Sequence, residues 1–221
     1  MKVLVIDIGG THVKIMATGH GKERKAVSGP KMSAQDMVDT VLDLAGGWKF
    51  KAVSMGYPGP VVHGKPVLEP KHLAPGWIGF DFERAFSRKV RIVNDALMQA
   101  VGSYEGGRML FLGLGTGLGS AMVVENVAQP MELAHMPYKD GGTFEEYVGE
   151  AALEKSGQEA WQKEVAAVVA RLQAALEPEY VVLGGGNVRL LDELPPGCRR
   201  GDNKNAFAGG FRLWGKRAVK V

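Results

Sequence analysis

A chain of 221 residues, 45% hydrophobic and 23% charged, has the size and composition of one large or two small globular domains, which excludes disorder as its main state. Twenty-seven Lys+Arg against 24 Asp+Glu give a formal charge of +3, too balanced to imply a nucleic-acid or membrane partner. A lone cysteine, Cys198, excludes an internal disulfide and a thiolate metal site and suits a reducing, cytoplasmic setting.

The apolar run at Val3-Leu4-Val5-Ile6 stops at Asp7, short of the about 7–15 residues of a signal-peptide core. The longest uncharged stretch, Met109–Val124, holds four glycines and falls short of the roughly 20 apolar residues of a spanning helix. Lys2–Ile6 reads as a strand, Gly9-Gly10 as a turn and Val13–Ala17 as a second strand. Ser33 with Asp36 is a helix start, and Met37, Val38, Val41, Leu42 and Leu44 supply an apolar face that ends at Gly46-Gly47. Phe50–Met55 is a strand, residues 61–80 are loop-like with three prolines, Phe82–Lys89 is a short helix, and Val90–Val93 a strand ending at Asn94-Asp95.

A helix over Ala96–Tyr104 leads into a second strand, glycine turn and strand: Met109–Leu114, Gly115–Gly119 and Ser120–Val124. This is an internal echo of the N-terminal unit. Residues 143–177 read as helical, with Trp161, Val165, Val168, Val169, Leu172 and Leu176 on one face. Tyr180–Leu183 is a strand that runs into Gly184-Gly185-Gly186-Asn187, and Val188–Leu194 is helix-like. The domain boundary is placed near Asp95.

Three glycine-rich turns each follow an apolar strand. Such turns suit phosphates, because without a Cβ the backbone N–H groups can approach an anion. None has the Lys-Ser/Thr of a P-loop, and the first two feed a strand where the dinucleotide fingerprint needs a helix. One such turn is an ordinary hairpin bend; two of similar chemistry plus a third that opens a helix point to a split phosphate clamp.

Asp7-Ile8-Gly9-Gly10-Thr11, Gly56-x-Pro58-Gly59, Asn94-Asp95, Leu114-Gly115-Thr116-Gly117-Leu118-Gly119, Glu132-x-x-His135 and Gly184-Gly185-Gly186 occur in the order seen in the ROK family of sugar kinases, which the chain resembles from Asp7 to Asn187. The resemblance implies an α/β, actin-like fold of the hexokinase and ribonuclease H-like type, with two lobes around a cleft. Residues 1–95 would form the N-terminal lobe and 96–206 the C-terminal lobe, with a last helix over about 207–221 packing back on the first. It also implies a homodimer.

By the same resemblance, Asp7 orients Mg²⁺ through water; the plainer alternative is a turn-capping aspartate. Gly9-Gly10-Thr11 and Gly115-Thr116-Gly117 cradle phosphates from two sides, with Lys14 beside the first turn and Gly185-Gly186 near the nucleoside. Asp95 is the candidate general base, accepting the proton of a hexose 6-hydroxyl; Asn94-Asp95 also reads as a helix cap. Asn94, Gly59, Glu132, His135 and Glu145 are the other hexose contacts. A Glu and a His at this spacing are more often a surface pair, and only the order of the motifs lifts Glu132 and His135; Glu145 reads equally as a helix-start carboxylate.

The chain departs from the family at several points. Ala134 stands where glycine is usual, and His12 stands where lysine is usual. Met136–Gly141 is too short for a cysteine-rich zinc loop and Thr143 takes a cysteine position, so zinc is not expected. Lys14, the missing loop and the reduced length resemble the polyphosphate glucokinase branch. A basic tail of Arg199, Arg200, Lys204, Arg212, Lys216, Arg217 and Lys220 suits either a long phosphate chain or a solvated helix face. The expected activity is phosphoryl transfer from ATP or polyphosphate, with Mg²⁺, to the 6-hydroxyl of glucose. A kinase for another hexose or an N-acetylhexosamine, a sugar-sensing regulator and an inactive sugar binder are the alternatives. The family's regulators carry a DNA-binding helix domain before the first strand, whereas here the strand opens the sequence, so no nucleic-acid partner is expected.

Overall fold

The computed structural model describes residues 1–215 and 219–221. In the first half, β1 (Val3–Ile8), β2 (His12–Ala17) and β3 (Arg24–Val27) form an antiparallel meander. β4 (Ala52–Tyr57) and, after the small hairpin of β5 (Val61–Val62) and β6 (Lys65–Pro66), β7 (Lys89–Asn94) extend it in parallel, giving the order β3-β2-β1-β4-β7. The second half repeats the pattern with β8 (Arg108–Leu114), β9 (Leu118–Val124), β10 (Val127–Met131), β11 (Tyr180–Gly184) and β12 (Cys198–Arg200), in the order β10-β9-β8-β11-β12. The echo in the sequence is thus a repeat of a whole sheet, and two such sheets make the expected α/β, actin-like architecture.

Strand periodicity assigns the layers. Successive side chains of β1 point to opposite faces, so Leu4, Ile6 and Ile8 pack outward against α1 (Ala34–Ala45) and α2 (Phe82–Phe86), while Val3 and Val5 face inward. In β8, Leu110, Leu112 and Leu114 face the outer helices α4 (Phe144–Val148), α5 (Glu150–Ser156) and α6 (Gln158–Leu176). Met109 and Phe111 face inward. The inward faces of both sheets share one core with α3 (Asp95–Ser103) and α7 (Asn205–Arg212).

Those two inner helices touch backbone to backbone. A Cβ on Gly209 would stand 1.8 Å from the Met98 carbonyl oxygen, and one on Gly102 1.8 Å from that of Asn205. Around this contact Arg212 donates to the carbonyls of Val101, Gly102 and Tyr104 at the end of α3. The Ser54 hydroxyl donates to the Gly210 carbonyl and accepts from the Trp214 indole, which ties α7 to β4.

Several expectations are corrected. On α1 the buried stripe is Ala34, Met37, Val38, Val41 and Ala45; Leu42 is 41% exposed because it lies about 100° from Val41 around the axis. Residues 143–177 form three helices, broken at Gly149 and Gly157. Val188–Leu194 is a 3₁₀ turn over Gly186–Leu190 followed by irregular chain, whose Val188 and Leu191 carbonyls accept from Arg200. α7 covers Asn205–Arg212, so the helix expected over about 207–221 ends early, and Lys216 and Arg217 lie outside the described residues. Lys220 pairs through its backbone with the start of β10.

Gly209→Ala is expected to lower stability by about 3 kcal/mol or more, because backbone faces the added methyl and no side chain can rotate away. Denaturant melts of the wild type and the variant measure this, with Ala208→Gly as a control for helix propensity.

Candidate active site

The inward period of β1 that buries Val3 and Val5 brings Asp7 to the end of the same face. Asp7 is paired across β2 with Lys14 and across β4 with Gly56. Burial raises the Asp7 carboxyl above the usual carboxylate range, Lys14 opposes the rise and Glu23 adds to it.

Two glycines set the position of Asp95. A Cβ on Gly56 would lie 3.5 Å from the Asp95 Cα and collide with Met98, and one on Gly119 would stand 2.8 Å from the Ala96 Cβ. The first turn of α3 therefore seats against the end of the second sheet only because Gly119 has no side chain, while Gly56 leaves room for the Met98 side chain. Asn94 caps the helix: its Oδ1 accepts from Leu97 N at 3.1 Å, and its Nδ2 donates to the Gly59 carbonyl at 3.1 Å. One Oδ1 lone pair and one Nδ2 hydrogen of Asn94 remain for a ligand. Asp95 is the first helical residue, and its Oδ1 accepts from Ala96 N at 2.8 Å. Burial first and the charge of Asp7 second push its carboxyl up to about 7; backbone N–H groups oppose this and Glu132 adds to it. The two sequence readings of Asn94-Asp95 therefore divide between the residues, with Asn94 as the cap and Asp95 as a perturbed carboxylate.

The three glycine turns have separate supports. In the first, Gly9 N donates to His12 O, the Ser28 hydroxyl to Gly9 O and Ser28 N to Thr11 O. In the second, Gly115 N donates to Gly117 O, and Glu150 N donates to Gly115 O. Among the described residues, the N–H groups of Gly10, Thr11, Thr116 and Gly117 meet no protein acceptor, which is the condition of an anion-binding turn. The third turn leans on the second: at φ 82°, Gly185 lies so close to Leu114 that a Cβ would stand 2.2 Å from its carbonyl oxygen. Asn187 donates to Gly115 O from the 3₁₀ turn that begins at Gly186.

The other expected residues fall in two places. Glu132 and His135 are exposed on a 3₁₀ turn over Leu133–His135, which the buried Ser120 anchors through Met131 O and Leu133 N. Glu132 is near enough to raise the Asp95 carboxyl. Ala134 is buried, its methyl absorbed by the outer core of the second sheet. Glu145 lies in the first turn of α4, as the helix-start reading has it, and its carboxylate accepts from Leu118 N at 3.2 Å beside Gly117. It is thus held at the second glycine turn.

Two residues at the turns escaped the sequence reading. Glu150 accepts from the Thr116 hydroxyl, and its position just after Gly149 at a helix start was the available signal. His72 lies against Gly10; nothing in the spacing of the loop from 61 to 80 marks it. Three described residues of the basic tail have structural partners. Arg199 pairs with Glu105 and covers Tyr180, while Arg200 and Arg212 satisfy carbonyls, so these three are not free for a phosphate chain.

Because its folded pKa is raised, Asp95 weakens the fold as pH climbs from about 4 through about 7. Asp95→Asn keeps the oxygen that accepts from Ala96 and is expected to stabilise the protein by about 1–3 kcal/mol at pH 8, with no gain at pH 4. Thermal melts at the two pH values check this.

The model of the ROK family matches residues 3–130. The polyphosphate glucokinase of Mycobacterium tuberculosis (strain ATCC 25618 / H37Rv) is 26% identical over 213 residues, covering 86% of this chain and 80% of the relative. Among solved structures, the inorganic polyphosphate/ATP-glucomannokinase of Arthrobacter sp. strain KM matches with a TM-score of 0.77 at 20% identity, over 95% of this chain and 96% of the other. A ROK family glucokinase from Streptomyces griseus, in complex with glucose and AMPPNP, matches with a TM-score of 0.76 at 17% identity, over 96% and 99%. The structural likeness establishes the fold; with more than half of its length inside the family model, the chain belongs to the ROK family.

Proposed function

We propose that the chain is a glucokinase, transferring a phosphoryl group from inorganic polyphosphate or ATP to the 6-hydroxyl of glucose. The observation that carries this reading is Asp95, a carboxylate pushed up to about 7 at the N-terminus of α3, beside Asp7 and the ends of both sheets. A base whose pKa lies near the working pH combines the deprotonated form with a strong pull on the hydroxyl proton. The polyphosphate donor is supported by the relative of that name in Mycobacterium tuberculosis.

Each group has a role in this reading. Asn94, Gly59, Glu132, His135 and Glu145 bind and orient the hexose, whose hydroxyls need polar partners once they leave water. The Gly9–Thr11 and Gly115–Gly117 turns hold the donor's phosphates through free N–H groups, Lys14 adds charge on the first side, and Gly185-Gly186 borders the far end of the donor. Asp95 takes the proton as the hydroxyl oxygen attacks phosphorus in line, and the phosphoanhydride bond opposite breaks with its electrons leaving on the shortened donor. Because α3 is locked in the core, the carboxylate needs little rearrangement to meet the hydroxyl.

A hard cation fits the site. Burial raises both Asp7 and Asp95, and the charge of Asp7 raises Asp95 further, so the local charge is under-compensated. Among the described residues no group of three or more His, Cys, Asp or Glu is arranged to hold a metal ion. Mg²⁺ typically needs only one or two carboxylates plus water and substrate phosphates. Asp7 would hold it, and the bound ion would supply charge neutralisation on the donor's phosphates.

The test is a coupled glucose 6-phosphate assay with Mg²⁺, run in parallel with polyphosphate and with ATP. Product with polyphosphate is expected. Product with ATP alone would remove the polyphosphate assignment and keep the kinase, and no product with either donor would overturn the proposed function.

A further inference from the structure

His72 belongs to a segment that is far less free than its composition suggests. At one end the Tyr57 hydroxyl donates to the Leu68 carbonyl at 2.8 Å. The Glu69 carboxylate then gathers the N–H groups of Gly76 at 3.1 Å and Trp77 at 3.0 Å, closing the segment on itself. Leu73 is buried in the outer core of the first sheet, and Ala74 N donates to Met32 O at 3.1 Å. Trp77 is fully buried, with its indole N–H on Ala74 O at 2.8 Å. Pro70 and Pro75 restrict the backbone between these anchors. His72 is exposed, and its backbone is pinned on both sides.

The pinned segment places the imidazole over the first glycine turn. The Cβ, Cγ and Cδ2 of His72 lie 3.0, 3.5 and 3.6 Å from where a Cβ on Gly10 would stand. Gly10 therefore makes room for the His72 side chain where a Cβ would stand, and among the described residues its N–H meets no protein acceptor. The turn already carries nitrogen on its hairpin side, where His12 meets the Thr11 hydroxyl and Lys14 pairs with Asp7 across the strands. His72 comes from the separate segment between β6 and α2. Asn94 and Gly59 meet at the N-terminus of α3, whereas His72 contacts the turn assigned to phosphate.

We propose that His72 is a phosphate-contacting residue of the donor site, its imidazole N–H donating to the phosphoryl group held in the Gly9–Thr11 turn. This rests on the phosphoryl-transfer reading above. An N–H aimed at phosphoryl oxygens stabilises the charge they carry during transfer, and on a pinned backbone it needs little reorganisation.

The experiment compares the wild type, His72→Ala and His72→Gln, with kcat and KM measured for donor and for glucose, glucose affinity measured by calorimetry, and a melt of each protein. His72→Ala is expected to lose about 10- to 100-fold in kcat/KM for the donor, the range for a hydrogen bond to a charged group. Its glucose Kd and Tm should stay close to wild type. His72→Gln, whose amide N–H can reach the same oxygens, should recover part of the loss. A donor kcat/KM within twofold of wild type in His72→Ala overturns the proposal, as does a matching loss of glucose affinity, which would place the ring at the hexose. If His72→Ala melts low, His72→Gln with normal stability and no recovery of donor use over His72→Ala also overturns it. A wild type that transfers nothing from either donor refutes the phosphoryl-transfer reading and this assignment with it; an active wild type with an indifferent His72→Ala refutes this assignment alone.

Discussion

The backbone contact of α3 with α7 is the constraint on which the rest of the molecule depends. Glycines at 102 and 209 let the two helices approach until one backbone meets the other, between the inner faces of both sheets. Once α3 is fixed there, its N-terminus has one place to be, at the ends of β1, β4 and β9. Gly56 and Gly119 clear that place, and Asn94 and Asp95 occupy it. The helix that anchors the core is therefore also the helix that presents the cleft carboxylate. Close packing makes such a position stiff, because an interior at crystal-like density transmits displacement and does not absorb it.

The electrostatics follow from that geometry. Asp7 and Asp95 reach the same cleft from different elements, and Glu132 approaches from a third. Poor hydration raises both aspartates, Glu23 adds to the rise at Asp7, and Asp7 and Glu132 add to the rise at Asp95. The Asp95 anion is destabilising in the resting fold, and a cation or substrate hydroxyls would offset that cost on binding. Functional sites commonly hold such strain, since a group tuned for proton transfer is not the group that best stabilises the fold.

Much of the fold was legible in the sequence because its strongest signals are local. The strand, glycine turn and strand of each half carried enough periodicity to be read twice, and Ser33 with Asp36 marked the start of α1 as a capping box. The strands that escaped are the two-residue β5 and β6 and the edge strands β3, β10 and β12, the last three carrying charged residues or proline, so their pairing rests on a neighbour and not on their own apolar pattern. Leu42 was misjudged because residues three and four apart on a helix share a face while an adjacent pair does not. The site was legible as a set of motifs in order, yet its internal division was not. The Asn94 cap is local and was readable, but that Glu145 is held at the second glycine turn and that Arg212 serves carbonyls depend on contacts between segments distant in sequence. His72 was invisible for the same reason: its meaning comes from Gly10, 62 positions earlier.

The central claim, that Asp95 is the base of a phosphoryl transfer and not merely part of a helix start, is tested most directly in the Asp95→Asn protein. Glucose binding by calorimetry and glucose 6-phosphate formation with Mg²⁺ and the active donor are measured on the same preparation. The account predicts glucose affinity within about tenfold of wild type and turnover lowered by at least about 10²-fold, the lower range for loss of a positioned base. Turnover close to wild type in that variant would contradict it.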